Sequence, residues 1–167
     1  MTKIMVGTVQ FGMTYGIANQ QRRPSRKEVL EIIKFGYEAG ICDYDTAAVY
    51  GESEEVLGQS FKALGICHKV NVFTKIKALD DEVKNSEKDP KNEIVASLDR
   101  SLKRLKMDCV AGVLFHREED VQHLALLQMQ KQAGICHSVG VSCGHNPEKV
   151  TDFLNSDSIE AFQYHAI

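Results

Sequence analysis

The stretch ICDYDTAAVYGESEEVLGQSFKALGICHKVNVFTK, residues Ile41–Lys75, decides the fold. It begins with a short apolar run over Ile41–Asp45, continues through a helical pattern over about Ser53–Leu64, and ends with a second apolar run over Val70–Lys75. A strand, a helix and a second strand in this order form the unit that joins two parallel strands. We therefore predict a parallel sheet with helices against it.

This alternation of strand and helix continues on both sides of the stretch. The remaining predicted strands are Ile4–Thr8, Val110–His116, Ser138–Ser142 and Ile159–Gln163. The remaining helices follow apolar stripes at helical spacing, namely Val29, Ile32, Ile33 and Tyr37; Ile94, Leu98, Leu102 and Leu105; and Val121, Leu124 and Leu127. Ser25 and Glu28 predict a capping box before the first stripe, and Asn146 with Pro147 predicts the start of one further helix.

The fragment glycine-isoleucine-cysteine occurs three times, at residues 40–42, 65–67 and 134–136. Each copy stands between a predicted helix and a predicted strand. Glycine takes the left-handed conformation at a helix C-terminus more readily than any other residue. We therefore predict three equivalent helix-to-strand turns at Gly40, Gly65 and Gly134.

Two architectures place helices against a parallel sheet, an open doubly wound sheet and a (β/α) barrel. A doubly wound dinucleotide-binding sheet carries G-x-G-x-x-G after its first strand, followed at once by a helix. Here the turn is GTVQFG, Gly7–Gly12, which lacks the middle glycine, and no helix is predicted directly after the strand. The sequence therefore favours an α/β fold of the TIM-type (β/α)8 barrel class.

The predicted barrel is incomplete. About six strands and five helices are expected in a single domain over residues 1–167, whereas a whole barrel takes ~250 residues. We therefore expect a partial (β/α) barrel in which strands seven and eight are absent, as in a truncated chain.

The composition excludes several classes of protein. Of the 167 residues, 43% are hydrophobic and 26% are charged, as in ordinary globular proteins. A net charge of −3 without a dense basic block argues against a nucleic-acid partner, which requires many phosphate contacts. No apolar run reaches the ~18 residues of a membrane helix, and no signal peptide is evident. We expect no nucleic-acid or membrane partner and a cytoplasmic location.

The five cysteines are an odd number without a C-x-x-C pair, which predicts reduced thiols instead of a disulfide framework. Cys67-His68 and Cys136-His137 could in principle supply zinc ligands. The closely spaced ligand pairs of zinc fingers and ribbons are missing, however. We interpret both pairs as residues at strand starts and predict no metal.

A polar or ionisable side chain ends every predicted strand: Thr8, Asp45, Lys75, His116, Ser142 and Gln163. A polar residue often simply ends a strand. In a (β/α) barrel, however, all strands end at one face, and that face carries the active site. Six such side chains therefore predict a polar pocket, which Tyr50 joins from the loop after Asp45.

Several motifs along the whole chain carry a resemblance to a known family. They are GTVQFG (Gly7–Gly12), DTAAVYGESEEVLG (Asp45–Gly58), Thr74-Lys75, LFH (Leu114–His116), GVS (Gly140–Ser142) and Gln163. The most specific feature is the spacing of five from Asp45 to Tyr50, followed by glycine and then E-x-x-L-G. In these motifs the sequence resembles the aldo-keto reductase family. The resemblance implies an NAD(P)H-dependent oxidoreductase that reduces an aldehyde or ketone to an alcohol by hydride transfer.

The resemblance also implies a catalytic tetrad of Asp45, Tyr50, Lys75 and His116. Tyr50 would donate the proton to the alkoxide that forms as hydride arrives. A free phenol has a pKa of ~10, so a nearby ammonium is expected to lower the pKa of Tyr50 toward neutral pH. Asp45 would keep Lys75 charged and oriented, and His116 would hydrogen-bond the substrate carbonyl or assist the proton relay.

For the cofactor, the resemblance implies NADP(H) in preference to NAD(H), and a small carbonyl compound as substrate. Ser142 and Gln163 would bind the nicotinamide carboxamide, Asp45 would lie near its ribose, and Thr8 would contribute at the first strand. Many relatives have asparagine after the serine of GVS, where this chain has Cys143. We expect its thiol near the pocket mouth, where it is open to oxidation.

Two other functions remain open from the sequence. A non-catalytic relative would use the barrel as a binding or regulatory subunit, and a Schiff-base lyase or aldolase would use Lys75 as its nucleophile. A partial barrel is also expected to lack the parts that hold the adenosine end of the cofactor. We therefore expect the 167-residue chain to have little or no reductase activity alone, and to self-associate through open sheet edges.

Overall fold

The computed structural model describes residues 4–16, 22–79, 89–143, 147–156 and 158–164. The strands in these ranges are β1 Met5–Gly7, β2 Asp43–Asp45, β3 Asn71–Ile76, β4 Val110–Phe115, β5 Cys136–Cys143 and β6 Ala161–Tyr164. The helices are α1 Val9–Gly12, α2 Arg26–Glu38, α3 Ser53–Leu64, α4 Pro90–Leu105, α5 Leu124–Gln132 and α6 Pro147–Leu154. A 3-10 helix, Glu118–His123, directly precedes α5. No helix in the described ranges is both long enough and apolar enough to span a membrane.

The order of the strands settles the architecture. The six strands pair in sequence order from β1 to β6, and every pair is parallel. A doubly wound sheet reverses its strand order at a switch point, whereas a (β/α)8 barrel keeps the order of the chain. The prediction of a TIM-type barrel arrangement is therefore confirmed, with six of its strands in the described part of the chain.

Apolar side chains between the strands and the helices form the core. From the strands, Val72, Val113, Val139 and Val141 are fully buried, and from the helices so are Val29, Leu57, Ile94, Phe61 and Leu127. Burying a side chain of this kind stabilises the fold by ~1.5–3 kcal/mol. Successive strand residues point to opposite faces of the sheet. Because one set packs against the helices, the alternate set points to the concave side of the sheet.

The predicted helix ends are confirmed where the structure describes them. The Glu28 amide donates to Ser25 Oγ at 3.3 Å, and the Ser25 amide donates to Glu28 Oε2 at 2.7 Å, which is the expected capping box. Gly40, Gly65 and Gly134 have φ values of 84°, 67° and 79°. The repeated fragment thus marks three helix ends, because glycine takes this conformation without a Cβ clash.

Two local predictions need correction. A four-residue helix, α1, follows Thr8 directly, where none was predicted, although the strand order still excludes the doubly wound sheet. The stripe that includes Val121 is divided, because Val121 lies in the 3-10 helix and α5 starts only at Leu124. In that 3-10 helix, the fully buried Asp120 accepts a hydrogen bond from the Leu79 amide at 3.1 Å, which joins the segment to the loop after β3.

The strand bounds also shift by one to two residues. Thr8 and His116 each lie one residue beyond β1 and β4, and β6 begins at Ala161 instead of Ile159. β5 is longer than predicted at both ends. The predicted helix cap at Asn146 lies outside the described residues, whereas α6 begins at Pro147 as expected.

Candidate active site

The ends of β2 and β3 bring Asp45 and Lys75 together. Asp45 pairs in register with Phe73, so Lys75, two residues further on, points to the same side of the sheet. Its Nζ donates to Asp45 Oδ1 at 2.5 Å and to the Thr46 carbonyl oxygen at 2.9 Å. Burial lowers the pKa of Lys75 below its usual range, and the Asp45 carboxylate opposes this shift. The pair is a buried ion pair whose ammonium is held by two acceptors.

Tyr50 and His116 adjoin this ion pair. Lys75 Nζ lies 5.1 Å from the centroid of the Tyr50 ring. The rings of Tyr50 and His116 meet edge to face, with centroids 5.9 Å apart and an interplanar angle of 85°. The four residues predicted as a tetrad therefore lie together at the carboxyl ends of β2, β3 and β4.

Two glycines allow the loop after β1 to close against the loop that carries Tyr50. A Cβ atom on Gly12 would lie 1.7 Å from the Tyr50 carbonyl oxygen. Gly51 has a φ of 57°, and a Cβ atom there would lie 2.5 Å from the Gly12 carbonyl oxygen. These contacts give a physical reason for the glycines in GTVQFG and DTAAVYG, since any side chain would push the Tyr50 loop away.

The prediction that Lys75 lowers the pKa of Tyr50 is wrong in this structure. Burial raises the pKa of Tyr50 to about 12, and the charges of Asp45 and Tyr15 add to the rise. Burial is the main cause of this rise, and the Asp45 carboxylate, which lies 2.5 Å from Lys75 Nζ, disfavours the phenolate further. Tyr50 is accordingly held in its protonated form at neutral pH.

Ser142 and Gln163 face the ion pair from β5 and β6. They are direct neighbours in the register of the two strands. Gln163 Nε2 donates to Asp45 Oδ2 at 3.3 Å, whereas Gln163 Oε1 is buried without a hydrogen-bond partner. A cavity of about 300 Å³ inside the curve of the sheet is lined by Asp45, Gln163 and the side chains of Phe73, Leu114 and Phe162. A buried carbonyl oxygen without a donor can accept an amide N–H, so these residues fit a carboxamide group.

Thr8 differs from the other strand-end residues. It is fully buried, and its hydroxyl donates to the Asp45 carbonyl oxygen at 2.8 Å. The same hydroxyl lies 2.7 Å from Ser53 Oγ. The side chain therefore has a structural contact, and its contact with a cofactor stays a prediction.

Sequence reasoning missed the residues behind the site. Glu54, at the start of α3, is only 1% exposed, accepts a hydrogen bond from Thr74 Oγ1 at 2.6 Å and pairs with Arg104 at 3.1 Å. The Glu54 carboxylate thus links α3, β3 and α4 on the face of β3 opposite to Lys75. The signal was present in the E-x-x-L-G motif, which starts at Glu54, but the motif does not show which residues its glutamate meets.

The cysteines lie away from the site. Cys143 is 1% exposed and belongs to the core, and burial raises the pKa of its thiol to about 11. The expectation of an oxidisable thiol at the pocket mouth is therefore wrong. Cys109 Sγ lies 3.6 Å from His137 Nε2, and among the described residues no three or more His, Cys, Asp or Glu side chains are grouped to hold a metal ion.

Parallel strands in chain order define a protein of the (β/α)-barrel class, and a buried lysine–aspartate pair lies beside a tyrosine at their carboxyl ends. The chain belongs to the aldo/keto reductase family, whose model matches residues 3–164. The resemblance noted in the motifs is thereby confirmed.

Individual relatives agree with this assignment. Aldo-keto reductase AKR2E4 of Bombyx mori is 28% identical over 166 residues, a match that covers 90% of this chain and 51% of the relative. The crystal structure of that protein in complex with NADP superimposes with a TM-score of 0.69 at 26% identity, over 98% of this chain and 54% of its own. A candidate aldo-keto reductase from Pseudomonas aeruginosa gives a TM-score of 0.73 at 25% identity, over 91% of this chain and 59% of its own. The chain spans about half the length of the curated relative that it matches.

Proposed function

We propose that this protein reduces the carbonyl group of a small aldehyde or ketone to an alcohol with NADP(H) as cofactor. The main support is the buried ion pair of Lys75 and Asp45 beside Tyr50 and His116. The NADP complex of the Bombyx mori relative supports the choice of cofactor. When bound, the nicotinamide supplies the hydride.

In the proposed reaction, Tyr50 donates the proton. Its raised pKa keeps the hydroxyl protonated until negative charge develops on the substrate oxygen. The Lys75 ammonium, oriented by Asp45 and the Thr46 carbonyl, stabilises the phenolate that remains after proton transfer. His116, edge to face with Tyr50, hydrogen-bonds the substrate carbonyl and orients it toward the hydroxyl.

Four residues are assigned to the cofactor, two of them on β5 and β6. Gln163 Oε1, which has no donor of its own, would accept from the carboxamide, and Ser142 would contribute from the neighbouring strand. Asp45 would lie near the ribose, because Gln163 already reaches its carboxylate. Thr8, which bonds the Asp45 carbonyl, is the remaining proposed cofactor residue.

The test is NADPH consumption by the full-length gene product with a panel of small aldehydes and ketones. Tyr50→Phe removes only the hydroxyl and is expected to lower kcat by ~10²–10⁴-fold with little change in NADPH affinity. Tyr44→Phe is the matched control, since Tyr44 is a buried tyrosine whose hydroxyl has no hydrogen-bond partner and whose ring packs on Phe61. Near-normal turnover in Tyr50→Phe would contradict the assignment, and no turnover in the unmodified protein would favour a non-catalytic binding subunit.

The Schiff-base lyase is less well supported. A nucleophilic lysine must present a neutral amine to the substrate, whereas the Lys75 side chain is 0% exposed and its Nζ donates to two acceptors. Borohydride trapping of a carbonyl substrate on Lys75, in place of NADPH-dependent reduction, would reverse this preference.

We also propose that the 167-residue chain, expressed by itself, self-associates. In the described residues β1 and β6 are each paired on one side only, and β1 exposes Met5 to 43% with Ile4 beside it at 66%. Unpaired parallel edges and exposed apolar side chains favour association. Sedimentation would test this, and a compact monomer would contradict it.

The five free cysteines support the proposed cytoplasmic location.

A further inference from the structure

Three buried hydroxyl groups that hydrogen-bond to one another lie behind the ion pair. Its centre is Ser53, the first residue of α3, which is 0% exposed. Ser53 Oγ donates to the Thr8 carbonyl oxygen at 2.9 Å, accepts from Thr46 Oγ1 at 3.1 Å and lies 2.7 Å from Thr8 Oγ1. The cluster of Thr8, Thr46 and Ser53 therefore joins the ends of β1 and β2 to the start of α3.

The carbonyl acceptors set the direction of two of these hydrogen bonds, because a carbonyl oxygen only accepts. Each hydroxyl has one proton to donate. Thr8 donates to the Asp45 carbonyl, Thr46 donates to Ser53 and Ser53 donates to the Thr8 carbonyl, while either hydroxyl can be the donor across the 2.7 Å contact between Thr8 and Ser53. All three protons are used inside the protein, and Ser53 is the member that connects the two threonines.

The cluster reaches the ion pair through the backbone of β2. Thr46, whose hydroxyl is held by Ser53, supplies with its carbonyl oxygen the second acceptor of Lys75 Nζ at 2.9 Å. Asp45, whose carbonyl is held by Thr8, supplies the first acceptor with its carboxylate at 2.5 Å. Both acceptors of the ammonium are thus attached to residues that the hydroxyl cluster holds.

We propose that Ser53 is a positioning residue for the Lys75 ammonium: its hydroxyl, through Thr46 and Thr8, holds the two acceptors that set where Lys75 Nζ lies beside Tyr50. Ser53 touches neither the ion pair nor Tyr50 through its side chain, and it acts only through these two threonines. The effect on turnover rests on the proposed reductase function, whereas the effect on Lys75 does not.

Loss of the Ser53 hydroxyl has a defined consequence for Lys75. Thr46 then keeps its amide bond to the Phe73 carbonyl oxygen at 2.9 Å but loses its side-chain anchor, so its own carbonyl oxygen is placed less firmly beside Lys75 Nζ. The charged form of Lys75 loses stabilisation in a site where burial already opposes charge. The pKa of Lys75 is then expected to fall. The other groups that face Lys75, namely Asp45, Tyr50 and His116 beyond it, are unchanged by this substitution.

The experiment compares Ser53→Ala with Ser60→Ala in the full-length protein. Ser60 is a buried serine of the same helix, 4% exposed, and it has no part in the hydroxyl cluster. Two measurements are made: titration of the Lys75 ammonium by NMR, and kcat and KM for carbonyl reduction as functions of pH. Ser53→Ala is expected to lower the Lys75 pKa, to move the alkaline limb of kcat to lower pH, and to reduce kcat by about tenfold or more while KM changes little. Ser60→Ala is expected to do none of these.

A second variant covers the case in which Ser53→Ala folds poorly. Thr46→Val removes only the donor to Ser53 and is expected to reproduce both effects on Lys75 and kcat. The double variant should then be no worse than either single one, because both act through one contact. Lower stability with an unchanged Lys75 titration in both variants would overturn the proposal. A lowered Lys75 pKa in a protein that reduces no carbonyl substrate would support the positioning role and contradict the reductase function.

Discussion

On the β1–β3 side of the site, the polar groups are bonded to one another within the protein, whereas on the β5–β6 side Gln163 keeps a buried oxygen without a hydrogen-bond partner. Lys75, Asp45, Thr46, Thr8 and Ser53 form a continuous set of buried hydrogen bonds. On the other side, Gln163 makes one bond of 3.3 Å to Asp45 and leaves its Oε1 without a donor. The difference indicates that the β1–β3 side is organised by the chain itself, and that Gln163 on the β5–β6 side can still accept a hydrogen bond from a ligand.

The largest expected effect comes from removing the Lys75 ammonium, which lies at the centre of the β1–β3 side. Lys75→Met removes the ammonium and is expected to lower kcat by ~10²–10⁴-fold, because the phenolate left by proton transfer loses its stabilising charge. Lys77→Met is the control, since Lys77 is exposed and has the same strand parity just beyond β3. Steady-state kinetics would measure both variants. Equal turnover in the two would contradict the role given to Lys75.

Lys75→Met also leaves the Asp45 carboxylate without its partner, so stability must be measured alongside activity. Removing one partner of a buried pair costs ~3–5 kcal/mol. Asp45→Asn combined with Lys75→Met removes the unpaired charge and is expected to recover part of the unfolding free energy but none of the turnover. Recovery of turnover would show that the loss in Lys75→Met came from misfolding.

On the β5–β6 side, Gly140→Ala is expected to disrupt the backbone pairing of the two strands. A Cβ atom at Gly140 would lie 1.6 Å from the Ala161 carbonyl oxygen, so β6 must move away from β5. Overpacking of this kind costs ~1–3 kcal/mol or more, and Gln163 moves with the strand. We expect weaker NADPH binding in a fluorescence titration. Gly7→Ala is the control, because a Cβ atom there meets no atom within 4 Å. Unchanged affinity in Gly140→Ala would contradict the assignment of the cofactor to this side.

A smaller substitution sharpens the same comparison. Gln163→Ala removes the oxygen that has no donor in the protein, and the carboxamide of bound NADPH would lose a partner at a cost of ~1–3 kcal/mol of binding free energy. Turnover at saturating NADPH should change much less than affinity, since the groups of the β1–β3 side remain. The titration should show weaker binding in Ser142→Ala as well. If neither variant binds more weakly, the proposed carboxamide site is wrong.

The smallest expected effect is the pH dependence that Tyr50 imposes. Because its pKa is raised to about 12, the hydroxyl stays protonated through neutral and moderately alkaline pH, so reduction should not decline there through loss of the proton donor. Oxidation of an alcohol needs the phenolate, whose fraction rises about tenfold per pH unit below the pKa. Rates in the two directions should therefore diverge as pH rises. Parallel pH profiles would contradict the raised pKa.

Much of the architecture could be predicted from local sequence. The order of strand, helix and strand between Ile41 and Lys75, the capping box at Ser25 and the three glycine turns each depend on residues a few positions apart. The structure contains each of them, although β2 begins at Asp43 instead of Ile41. The strand bounds were less accurate at Thr8, His116 and Ile159, because the end of a strand depends on where its neighbour stops pairing. The third stripe is divided, and its 3-10 part contains a contact between Asp120 and Leu79, which are 41 residues apart and cannot be paired from local sequence.

By itself, the sequence determined the class of fold and which side chains stand at the strand ends, because alternation, spacing and motif order are properties of the chain. Only the tertiary structure decided the hydrogen-bond partners and the pKa shifts of those side chains. Burial, with the Asp45 carboxylate adding to it, dominates at Tyr50, so its pKa rises where the sequence suggested that it would fall. The partners of Ser53 and Glu54 were likewise set by contacts between β1, β2, β3 and α4. Electrostatic and hydrogen-bond energies depend on distances across the fold, and the order of residues along a chain does not contain those distances directly.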